Sequence, residues 1–149
     1  MSGLLNIKQG GKIRYNLPIP LGQTWSRGQA LIINSASSLE LLSAGNNVAL
    51  RMVGLALENC VSAATGNVMQ DTSTVLAGRT GGILLGEAIV ETDNLSGTGS
   101  WLPGVSTVYA LNGGNFSYSG TSGLAIGKAI SNPVSDGKLT FLYQPAMGG

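Results

Sequence analysis

Histidine is absent from this chain, cysteine occurs once, and only 10% of the residues carry charge. Each scarcity excludes a class of function. Without histidine there is no imidazole base, no Ser/His/Asp triad and no histidine-ligated metal. The single cysteine, Cys60, can form neither an intramolecular disulfide nor a cysteine-rich zinc site. The 8 basic and 7 acidic residues leave a net charge of +1, with no electrostatic footprint for nucleic acid. No uncharged apolar run reaches the roughly 18 residues of a membrane helix. The best, Val48 to Leu57, is short and broken by Arg51. Met1-Ser2-Gly3-Leu4 opens no secretory signal, so the expectation is a soluble protein made in a cytoplasm, without a membrane partner.

What remains is an apolar, glycine-rich chain able to bury a core. Its 149 residues suit one domain or two very small ones. A hydrophobic content of 43% and a mean hydropathy of +0.24 supply the apolar area that disordered chains lack. Local signals favour strands and turns. Ile13, Tyr15 and Leu17 alternate with Arg14 and Asn16, as in a half-buried strand that Pro18 and Pro20 then end. Ala30–Ile33 has strand length. Leu39–Leu42 reads as a strand, with a Ser-capped helix as the competing reading. Thr107–Leu111 runs into Asn112-Gly113-Gly114-Asn115 and then Phe116-Ser117-Tyr118, which is a hairpin signal. Ser135-Asp136-Gly137-Lys138 precedes a strand with Leu139, Phe141 and Tyr143 on one face. Ser73–Ala77 reads as a helical turn, and Gly78 with Gly81-Gly82 as a loop. The expected fold is all-β: a small barrel or sandwich-like domain over 19–149, preceded by an extended N-terminal arm over 1–18.

Two short patterns recur. Apolar-Gly-x-Ala-apolar occurs around Gly54, Gly86 and Gly127, and Trp-x-x-Gly occurs at Trp25 and Trp101. The tryptophans are 76 residues apart, and Gly54 and Gly127 are 73 apart. Near-equal intervals suggest two related β units, about 20–75 and 95–145. Chance likeness among abundant Gly, Ala and Leu is the alternative. The Gly-Ala pairing leaves little side-chain height, so another backbone can approach there; Trp25, Gly54, Gly86, Trp101 and Gly127 are therefore candidate structural residues.

Reactive groupings are sparse. Glu87, Glu91 and Asp93 share one face of an extended strand and could hold Ca²⁺ together with Asn94, or simply form a solvated face. Cys60 lacks an activating histidine and reads as a small buried residue. Trp25, Trp101 and Tyr109 could stack on a sugar, or the tryptophans could close the ends of the domain. Ile7 to Arg14 holds three of the basic residues. With Tyr15, the set Ile7, Lys8, Lys12 and Arg14 could reach an acidic surface on a partner, or be a frayed, solvated terminus. No catalytic, cofactor-binding or metal-binding residues are assigned. Gln144–Gly149 reads as a tail.

Taken together, Trp101-Leu102-Pro103-Gly104, Val108-Tyr109, Gly114-Asn115-Phe116, Ile126-Gly127-Lys128-Ala129-Ile130 and Asp136-Gly137 resemble the bacteriophage head decoration, or capsid cement, proteins. The resemblance spans residues 20 to 143. The Ala63–Gly82 region and the Pro18/Pro20 segment depart from it. It implies a non-enzymatic, cofactor-free protein on the outer surface of the virion head. Its partners would be the major capsid protein and itself, as a homotrimer at local three-fold positions. The readings set against it are a carbohydrate-binding β module built on Trp25, Trp101 and Tyr109, and a metal-dependent hydrolase built on Glu87, Glu91 and Asp93.

Overall fold

The computed structural model describes residues 3–44, 53–62, 74–96, 101–119, 123–133 and 137–144. Among these the protein is all-β, without a helix. The strands are β1 (Leu5–Gly10), β2 (Ile13–Pro18), β3 (Ala30–Ile33), β4 (Leu39–Leu41), β5 (Val53–Ala56), β6 (Asn59–Val61), β7 (Thr74–Leu76), β8 (Thr80–Leu84), β9 (Ala88–Thr92), β10 (Thr107–Ala110), β11 (Phe116–Ser117), β12 (Leu124–Ala129) and β13 (Leu139–Tyr143). They form a six-stranded sheet in the order β1-β9-β13-β12-β10-β11, a five-stranded sheet in the order β2-β8-β5-β3-β4, and a parallel β6–β7 pair.

The layering follows from which faces are apolar. One cluster fills the space between the two large sheets: Val90, Val108, Phe116, Ile126, Leu139, Phe141 and Tyr143 from one side, Ala30, Ile32, Val53, Leu55 and Leu84 from the other. A second cluster covers the opposite face of the five-stranded sheet, where Leu17, Leu31, Leu39 and Ile83 meet Ile19, Trp25, Cys60 and Ala77. The five-stranded sheet is thus buried on both faces, which is why Ala30-Leu31-Ile32 is apolar without alternation. The six-stranded sheet has one face outside, and β13 accordingly alternates buried Leu139, Phe141 and Tyr143 with half-buried Thr140 and Leu142.

The two large sheets share one connectivity. Taken in chain order, β2, β3, β4, β5 and β8 occupy the same places in one sheet as β9, β10, β11, β12 and β13 in the other. The β6–β7 pair is inserted between β5 and β8, and β1 is an added sixth strand beside β9. Trp25 and Trp101 precede equivalent strands, β3 and β10, while Gly54 and Gly127 lie within equivalent strands, β5 and β12.

The sheets do not close into a barrel. Their edges are guarded instead. On β1 the register shifts between Ile7 and Gln9, leaving Lys8 in a bulge. On β2 it shifts between Arg14 and Leu17, with Asn16 at φ 61°. The edge strands β4 and β11 have three and two residues.

Several local expectations are corrected. Residues 5–10 and 13–18 are not a free arm: they form an edge strand of each large sheet, joined by a turn at Gly10 and Gly11. The β2 bulge puts Ile13 and Tyr15 outside while Leu17 is buried, so the three do not share a buried face. Ser73–Ala77 holds strand β7 at Thr74–Leu76, not a helical turn. Gly81 and Gly82 lie within β8; a Cβ on Gly81 would come 2.9 Å from Ile19, and one on Gly82 3.0 Å from the Tyr15 ring. No helix of the described residues is long and apolar enough to cross a membrane.

Candidate interaction surface

The basic segment singled out in the sequence becomes a ribbon that passes from one sheet to the other. Ile7 is half-buried against the inter-sheet core. Lys8 bulges outward, and its Nζ lies 3.7 Å from Glu91 Oε1. Glu91 Oε1 also accepts a hydrogen bond from Asn6 Nδ2 at 3.0 Å. The chain then crosses at Gly10 and Gly11, with φ values of 78° and 107° that favour glycine. The Lys12 carbonyl accepts from Leu85 N at 2.7 Å, and the Lys12 backbone runs so close to Gly86 that a Cβ there would come 2.6 Å from Lys12 N. Arg14 and Tyr15 follow on β2. Tyr15 is 60% exposed and Ile13 45%. Lys12 and Arg14 form no ion pair among the described residues.

The start of the ribbon is strapped down by a polar network invisible in the sequence. Arg27 donates from Nε and Nη2 to the Gly3 carbonyl at 3.2 and 3.1 Å. Leu4 N donates to Asp93 Oδ1 at 2.9 Å. Asn59 Oδ1 accepts from Arg27 N, and Asn94 Nδ2 donates to the Arg27 carbonyl, both at 2.8 Å.

A second exposed apolar place lies at the end of β10 and β12. Leu102 and Val105 are 56% and 64% exposed, and Ile130, which directly follows β12, is also exposed. The turn that carries them is held by Gly104 N donating to the Ala129 carbonyl at 2.8 Å. Lys128 Nζ donates to the Val105 carbonyl and Thr107 Oγ1 at 3.2 and 3.0 Å, so its charge is satisfied locally. The apolar sequence Trp-Leu-Pro-Gly-Val signals this tip, but only the structure separates buried Trp101 from exposed Leu102 and Val105.

The remaining candidates become structural. Trp25 and Trp101 are 3% and 4% exposed, so they cannot present a platform with Tyr109 to a sugar. Trp25 Nε1 donates to the Glu58 carbonyl at 3.0 Å, and Trp101 packs edge-on against Tyr118 at 5.7 Å. A Cβ on Gly54 would come 2.6 Å from the Leu84 carbonyl, and one on Gly127 would clash with the Leu142 carbonyl. Glu91 serves Lys8 and Asn6 while Asp93 serves Leu4 N; among the described residues no three carboxylate or thiol groups gather to hold a metal.

Cys60 is buried, and burial followed by the charge of Glu58 pushes its thiol up to about 11. A thiol that keeps its proton is a poor nucleophile. Two surface depressions are shallow: one of about 280 Å³ beside Gln9, Glu87 and Leu142, and one of about 200 Å³ beside Val75, Leu76 and Arg79. Every buried side-chain polar atom of the described residues has a hydrogen-bond partner, so none is left aimed at a ligand.

Comparison with protein-family models, with curated proteins and with solved structures finds no match.

Proposed function

We propose that this protein is a non-catalytic decoration or cement protein that binds the outside of an assembled phage head and bridges neighbouring capsid subunits. The observation that carries this reading is a pair of separate exposed places on one sandwich. Ile13, Arg14 and Tyr15 mark the β2 edge; Leu102, Val105 and Ile130 mark the β10/β12 end. Exposed apolar side chains gathered in patches mark contact surfaces. A tyrosine and an arginine together match the composition of binding hot spots.

Two patches allow two grips. Bridging makes the second contact intramolecular, so modest contacts add up to avidity. A ligand that prefers the expanded shell over its precursor stabilises the expanded shell by mass action. The guarded sheet edges suit this work, because bulges and short strands block open-ended strand pairing while leaving side chains such as Tyr15 free for contact.

The reading is tested by co-sedimentation with undecorated, expanded phage heads. The native protein is expected to pellet with the heads. Tyr15→Ser and Val105→Ser, both at exposed positions, are each expected to weaken binding at least tenfold while their melting temperatures stay near native. Absence of the native protein from the pellet at micromolar concentration would end the reading.

A further inference from the structure

We propose that β1 is exchanged between copies of this chain, so that β1 of one copy pairs with β9 of another, with Gly10-Gly11 as the hinge. The inference concerns the purified protein and goes beyond the proposed binding to heads.

Four observations converge on it. The strands β9-β13-β12-β10-β11 already reproduce the complete connectivity of β2-β8-β5-β3-β4, so β1 is an addition to a finished sheet. Within the sheets β1 pairs with β9 alone. Its anchors are a distinct set: Gly3 to Arg27, Leu4 to Asp93, and Asn6 and Lys8 to Glu91. All are reproduced unchanged when β1 comes from a second copy.

The fourth observation is the hinge. The crossing turns sharply at Gly10 and Gly11, both at positive φ, while Lys12 is fixed to Leu85 just beyond. A short crossing between two strands can straighten, which would join β1 and β2 into one extended segment. Opening gives up the Gly11 N to Glu87 carbonyl bond of 2.9 Å and leaves the β9 edge unpaired. A strand from another copy restores that pairing. Short, tight hinges of this kind invite exchange between identical chains. The bulge at Lys8 is built into the β1–β9 register, so the exchanged strand fits β9 better than it fits a bare edge elsewhere.

The test places cysteines at Asn6 and Glu91, which face each other across β1 and β9. Paired antiparallel positions lie within disulfide reach. The double variant Asn6→Cys/Glu91→Cys is oxidised and run on a denaturing, non-reducing gel. Exchange predicts covalent species of two or more chains. Bands of single-chain mass alone would overturn it. If that variant does not fold, Leu5→Cys/Thr92→Cys offers the next register pair, read in the same way. A single-chain mass for the native protein by light scattering would also overturn it.

Discussion

The Tyr143 hydroxyl donates to the Val53 carbonyl at 2.8 Å and also approaches the Leu84 carbonyl at 3.3 Å. Tyr143 belongs to the six-stranded sheet and Val53 to the five-stranded one, so a polar bond ties the two layers through an apolar core. In that low-dielectric setting the hydroxyl strongly favours its neutral form, and burial raises its pKa. Tyr143→Phe keeps the ring and removes the donor. The expected cost is about 1–3 kcal/mol, because buried carbonyls lose a partner. Denaturant unfolding measures it, and an unchanged midpoint would contradict the role given to this bond.

The pH dependence follows from Cys60. Its thiol is raised from 9.0 to about 11 in the fold. Below pH 9 both folded and unfolded chains hold the proton, so its contribution is fully present. Between pH 9 and 11 the unfolded chain loses the proton first, which favours unfolding. The native melting temperature is expected to fall over this window, and to fall less in Cys60→Ala. Parallel curves for the two proteins would refute the assignment.

Gly127 lies where the β10–β12 register shifts, against the Leu142 carbonyl on the β13 side. Gly127→Val is expected to cost about 3 kcal/mol through overpacking and backbone displacement. Gly22→Ala is the control. It has open space around it but a φ of 86°, so its cost is expected to be about 1 kcal/mol. Equal losses for the two would argue against close approach as the reason for glycine at 127.

Removing residues 1–10 deletes β1 and leaves two sheets of like connectivity. The remainder is expected to fold with a lower melting temperature, because Leu5 and Ile7 leave the core and the β9 edge is bared. Circular dichroism with thermal melting checks this. An unaltered melting temperature would mean that β1 contributes nothing to the fold.

Much of the fold was legible where one face of a strand is buried. Leu139, Phe141 and Tyr143 declare their common face by period alone, and Gly113 and Gly114 adopt the positive φ that their turn requires. Legibility failed where the register breaks. Ile13, Tyr15 and Leu17 look like one face, and only the turn of Asn16 to φ 61° parts them. It failed again where layers multiply: Gly81 and Gly82 read as a loop because their neighbours Ile19 and Tyr15 come from distant sequence. For the candidate interaction surface, the basic and aromatic residues of β2 were visible, but the Arg27 strap joins residues 24 positions apart and carries no local pattern.

The proposed function requires preferential binding to the expanded shell, and thermal rupture of undecorated heads measures that directly. With saturating protein, expanded heads are expected to rupture at a clearly higher temperature, while unexpanded precursors are unaffected. An unchanged rupture temperature for expanded heads, with the protein present in excess, would contradict the account.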